Sequence, residues 1–139
     1  MNIYFACSIT AGREFEPVYQ AIVAALVADG HEIPTAHLAK SGVSIDENTL
    51  APRAVYDRDV NWIQNCDVLI AEVSVPSHGV GYEIGHALNA GKRVCCLYRN
   101  DRRVSKMITG NPHPALTIKE YSTVEQVLSI ARNFISKQN

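Results

Sequence analysis

The sequence predicts an α/β fold, a doubly wound, Rossmann-like or flavodoxin-like, five-stranded parallel sheet in the order 2-1-3-4-5, with residues 1–139 as a single domain. Three observations carry this. Short apolar runs alternate with longer segments of helical spacing, the pattern of repeated strand–helix–strand units. The run Val68–Val73 has the length of a strand and lacks the alternation of a half-exposed one, as expected of a strand buried on both faces. A chain of 139 residues with 47% hydrophobic content is also long enough to bury one core.

Asn2–Cys7 reads as the first strand. It ends in the polar loop SITAGRE, and Pro17 then sits where a helix tolerates proline, in its first turn. The helix runs from about Glu14 to Asp29, with Val18, Ile22, Ala25 and Leu26 on one stripe, and Gly30 stops it. HEIPTA, residues 31–36, is the expected second strand. Residues 37–50 form a long loop, either a mobile lid or plain surface. Pro52–Cys66 reads as a helix with Val55, Trp62, Ile63 and Cys66 on its apolar face. Asp59 shares that face, so its charge needs a partner or a substrate, whereas Asp57 lies on the opposite, solvated side.

Val68–Val73 follows as the third strand, then the loop SVPSHGVG and a helix over Tyr82–Ala90. KRVCCLYR is the fourth strand, RRVSKMITG a short amphipathic piece, LTIKEY the fifth strand. A helix from Thr123, its N-cap, to Lys137 buries Val127, Leu128, Ala131 and Ile135.

A net charge of −1 and scattered basic residues argue against a broad nucleic-acid face, and nothing approaches a membrane span. The amino terminus lacks the features of a signal peptide, so the cytoplasm is the expected compartment. Cys7, Cys66, Cys95 and Cys96 have no metal-ligand spacing, and Cys95 and Cys96 would face opposite sides of one strand. They read as reduced core thiols, with no metal and no cofactor expected.

The topology gathers Ser8 and Arg13 after strand one, His37 after strand two, and Ser77, Gly79 and Glu83 after strand three, with Asp59 nearby. The glycine-rich junction offers backbone N–H groups to an anion. Glu83 is expected in or near the first helical turn, kept ionised by the dipole, and is either a helix cap or a nucleophile. The glycines miss the dinucleotide spacing, and P-loop and serine-hydrolase motifs are absent. Two carboxylates beside an anion site suit cleavage of a glycosidic bond, whose transition state is positive.

The segments YFACSITAGRE, DRDVNWIQNCD, AEVSVPSHGVGYEIGHA and RVSKMITG resemble, in order and over almost the whole chain, the 2′-deoxynucleoside 5′-monophosphate N-glycosidases, relatives of the nucleoside 2-deoxyribosyltransferases. The resemblance implies that Glu83 is the nucleophile of a covalent glycosyl-enzyme mechanism and that Asp59 and Tyr4 position the sugar and assist proton transfer. It further implies a substrate-binding loop of Cys7, Ser8, Ile9, Thr10, Gly12 and Arg13, with phosphate on Ser8, Ser77 and the backbone near Gly79, and His37 near sugar and base. Ser105, Lys106 and Met107 would enter the site from a second subunit, making a homodimer with shared sites. Thr10 stands where that family commonly has arginine, and Ala11 where it has glycine. Alternative activities are transfer of deoxyribose between bases, cleavage of a ribonucleotide such as CMP, and nucleotide sensing without chemistry.

Overall fold

The computed structural model describes residues 1–9, 11–42 and 48–137. Thr10 and part of the expected 37–50 loop therefore lie outside the described residues. The elements in order are β1 (Ile3–Ala6), α1 (Glu16–Ala28), a 3-10 turn (Ala36–Ala39), α2 (Pro52–Asn65), β2 (Val68–Glu72), α3 (His78–Asn89), β3 (Arg93–Arg99), α4 (Lys106–Thr109), β4 (Leu116–Tyr121) and α5 (Val124–Ser136).

Among the described residues the sheet is parallel, with four strands in the order β1-β2-β3-β4. The expectation of five strands is corrected at HEIPTA, which makes one parallel bridge, Asn2 to Glu32, on the outer edge of β1. Pro34 has no N–H to give a ladder, and the chain turns there. The Phe5 amide instead donates to the Thr35 side chain, Oγ1, at 3.0 Å. A hydroxyl takes the place of the strand carbonyl.

Side chains alternate through the sheet into two cores. Ile3, Phe5, Ile70, Cys95 and Leu97 pack with α1 and α5 on one face. Tyr4, Leu69, Ala71, Val94 and Cys96 pack with Ile63 of α2 and Ile84 and Leu88 of α3 on the other. Cys95 and Cys96 therefore do face opposite ways, and all four cysteines are free and buried. Thr123 caps α5 as expected, its Oγ1 accepting from the Gln126 amide at 3.2 Å. No helix among the described residues is long and apolar enough to cross a membrane.

One buried charge falls outside the sequence-based expectations. Glu72, at the carboxyl end of β2, has no solvent exposure, and burial raises its pKa. Tyr121 Oη donates to its Oε1 at 2.9 Å, Ser74 Oγ donates to the same oxygen, and Ser74 Oγ in turn accepts the Arg99 amide at 2.7 Å. This carboxylate thus ties the carboxyl ends of β2, β3 and β4 together.

Candidate active site

The stretch after β2 differs from expectation in a way that matters. The connection is only Val73–Ser77, because Ser77 is a working N-cap, its Oγ accepting from the Val80 amide at 3.3 Å, and α3 starts at His78. Gly79, Gly81 and Gly85 are therefore helical, not a glycine turn. Glu83 lies in the second turn instead of the first, where the helix dipole has faded. The amides of His78 and Gly79 still open the helix without intrahelical acceptors.

Glu83 is half-buried, and Tyr4 Oη donates to its Oε1 at 2.7 Å. The Tyr4 ring comes from β1 and is wholly buried, and burial raises its own pKa, so it remains a donor. The expectation that Glu83 stays fully ionised at neutral pH is corrected. Burial pushes its pKa up to about 7, against the opposing effect of the Tyr4 hydrogen bond, and the negative charge of Asp59 pushes the same way as burial.

Asp59, on α2, lines the same cleft as Glu83, a space of about 700 Å³ between α2 and α3. Its charge has a partner in the neighbouring Arg58, whose Nε donates to Oδ1 at 2.8 Å. Arg58 lies 4.8 Å over the Trp62 ring, and His37, in the 3-10 turn, meets the edge of that ring at 5.9 Å. His37 thus buttresses α2. The sequence reading missed Arg58; the signal was available, since an inward acid beside an arginine and a tryptophan three to four positions on is a stacked ion pair waiting to form. Asp57 pairs with Arg53 on the exposed side.

In the loop after β1, Ser8 is fully buried, and its Oγ has no hydrogen-bond partner among the described residues. Cys7 is turned to the other face of the sheet, its thiol pushed up to about 12 by burial. Ile9 is half-buried against the α1-side core. Gly12 has φ +108, which suits only glycine. Arg13 uses its guanidinium internally: Nε donates to Glu16 at 2.8 Å, and the terminal nitrogens donate to the Ser8 carbonyl at 3.3 Å and to the Leu38 and Lys40 carbonyls at 3.2 and 2.9 Å. It fastens the Ser8 loop to the 3-10 turn.

Ser105 caps α4, Lys106 is exposed, and Met107 is 85% exposed. Ser105 and Met107 line a separate groove of about 560 Å³ with Ser77, Gly81 and Gly85. His78 borders both spaces, so the amino end of α3 divides them. The structure brings Tyr4, Asp59 and Glu83 together and leaves Ser105 and Met107 in the neighbouring groove. Among the described residues, no cluster could hold a metal ion.

The molecule is thus a parallel α/β protein with a tyrosine–carboxylate pair and a second carboxylate between α2 and α3, beside one face of the sheet. Residues 3–126 match the nucleoside 2-deoxyribosyltransferase family, and the chain belongs to it. The 5-hydroxymethyl-dUMP N-hydrolase of Danio rerio is 40% identical over 134 residues, covering 92% of this chain and 93% of its own. A Methanococcoides burtonii relative, named provisionally as 2′-deoxynucleoside 5′-phosphate N-hydrolase 1, is 38% identical over 119 residues, covering 86% and 98%. The solved structure of Clostridium botulinum CMP N-glycosidase, BcmB, shares the fold with a TM-score of 0.73 at 20% identity, covering 95% of this chain and 98% of that one.

Proposed function

We propose that this chain hydrolyses the N-glycosidic bond of 2′-deoxynucleoside 5′-monophosphates, releasing the free base and 2-deoxyribose 5-phosphate. The observation that carries the reading is the hydrogen bond from the buried Tyr4 to Glu83, which lines a cleft together with Asp59. The relatives named as N-hydrolases of such nucleotides support the same substrate class.

Ionised Glu83 attacks the anomeric carbon as the bond to the base breaks, and the base takes a proton from water in the open cleft. The resulting glycosyl ester keeps its hydrogen bond from Tyr4, which holds the carboxyl group in one rotamer throughout. Water then attacks the anomeric carbon, Asp59 accepts its proton and returns it to the hydroxide left when the base was protonated, and Glu83 leaves as carboxylate. The 5′-phosphate rests on the amides of His78 and Gly79 with the hydroxyls of Ser77 and Ser8, and Arg13 acts by holding the Ser8 loop in place.

Two copies complete the assembly. The glycines at 81 and 85 leave the outer face of α3 without side chains beside a groove, and the exposed Met107 is an apolar group without a cover. A second subunit laid across this groove would bury both. The four buried, unpaired thiols suit the reducing cytoplasm.

Chromatographic detection of free base from deoxynucleotides, deoxynucleosides and CMP tests the reading, with release expected from the deoxynucleotides. Failure to cleave every deoxynucleotide overturns it. Cleavage that requires a second free base shows the transferase reaction instead, and preferential cleavage of CMP shows a ribonucleotide glycosidase.

A further inference from the structure

Two tyrosines that play no part in the steps above stand at the mouth of the Glu83 cleft. Tyr56, on α2, and Tyr82, on α3, are 48% and 52% exposed. Their hydroxyls lie 3.2 Å apart and their ring centroids 6.1 Å apart, so the pair spans the gap between the two helices. His86 stacks behind Tyr82 at 5.9 Å with the planes 14° apart. Both tyrosines line the cleft and His86 does not, so the backed face of Tyr82 is turned away and its remaining surface borders the cleft. Below them the α2 wall is apolar, formed by Val55, Val60 and Ile63, down to Asp59 and Glu83.

A nucleotide whose anomeric carbon meets Glu83 and whose phosphate meets the amino end of α3 has one group left to place, a flat and uncharged ring. The groove on the phosphate side is also largely apolar, but no tyrosine, phenylalanine or tryptophan lines it. The α2 side offers apolar and aromatic surface, where a base loses little solvation and gains stacking. We infer that Tyr56 and Tyr82 form the platform that holds the nucleobase by its face, an inference that rests on the deoxynucleotide reading of this cleft. The hydroxyl bridge between α2 and α3 keeps the two rings in register for it, and His86 fixes the tilt of Tyr82.

The test uses titration calorimetry in the Glu83→Gln background, whose turnover is expected to be about 10³-fold slower or more, with two ligands: a deoxynucleoside 5′-monophosphate and 2-deoxyribose 5-phosphate, which lacks a base. Tyr56→Ala or Tyr82→Ala should weaken nucleotide binding by about 5- to 100-fold, the range for losing one base–aromatic stack, and leave 2-deoxyribose 5-phosphate unchanged. The Phe variants at both positions keep the rings and should bind like the parent. Equal weakening of both ligands, no weakening of either, or no nucleotide binding by the parent overturns the inference. Free-base release by the wild-type chain is measured alongside: a wild type that cleaves deoxynucleotides while the Ala variants bind normally removes the platform alone, whereas an inactive wild type removes the reaction.

Discussion

Tyr4 donates a 2.7 Å hydrogen bond to Glu83 from a ring that solvent does not reach. Burial favours protonated Glu83 and this bond favours the ionised form, and the balance leaves the group titrating near neutrality, at about 7. The nucleophile is the ionised form, so kcat/KM should rise with pH along an acid limb centred near that value. Tyr4→Phe removes the hydrogen bond that supports the charge among the described residues, so its limb should move to higher pH. Profiles from acid to alkaline pH check both; a wild-type limb at ordinary carboxylate values, or an unmoved limb in Tyr4→Phe, contradicts the assignment.

Glu83→Gln should bind nucleotide while lowering kcat by about 10³-fold or more. It also carries a stability signature. The folded pKa of about 7 lies above the ordinary 4.5, so the folded state holds a proton that the unfolded state has lost. The contribution is fully present below the ordinary value and disappears as pH rises through about 7, a change on the order of 3 kcal/mol. Thermal melts at pH 5 and pH 8 should therefore show a smaller loss of stability in Glu83→Gln than in the wild type.

Arg58 is the ion-pair partner of Asp59 and the cation over Trp62. Arg58→Ala leaves a half-buried carboxylate without that partner beside Glu83, and kcat/KM should fall by about tenfold or more. Arg58→Lys keeps the charge but not the planar fork or the stack, so it should recover only part of the loss. Steady-state kinetics of the two variants settle it; wild-type activity in Arg58→Ala would show that Asp59 needs no orienting.

Ser8 presents a buried hydroxyl that nothing among the described residues satisfies. Such a group costs about 1 to 3 kcal/mol in the free protein. Ser8→Ala should thus leave the melting temperature unchanged or raised, while KM for a deoxynucleotide increases by about tenfold through loss of a phosphate hydrogen bond. A lowered melting temperature with unchanged KM would assign Ser8 a purely structural role.

The α/β class, the parallel strands, the Thr123 cap and the buried thiols were legible from the chain alone because they rest on local periodicity and hydrophobicity. Val68–Glu72 has no choice but to be central, and Thr123 caps the helix that follows it from within its own segment. Asp59 was legible as an inward charge for the same reason: helical spacing alone puts it on the face of Ile63.

Other features depended on partners distant in sequence. At HEIPTA the breaker Pro34 was a local signal, but that the Thr35 hydroxyl would serve the Phe5 amide, thirty residues away, is reported by no propensity. Glu83 looked ionised because a helix start is a local feature, yet its titration is governed by burial between α2 and α3 and by Tyr4, 79 positions earlier in the chain. The Glu72 network and the Tyr56–Tyr82 bridge escaped sequence reading for the same physical reason. Desolvation and hydrogen-bond geometry are properties of the packed interior, and they exist only once the sheet has brought distant segments within reach.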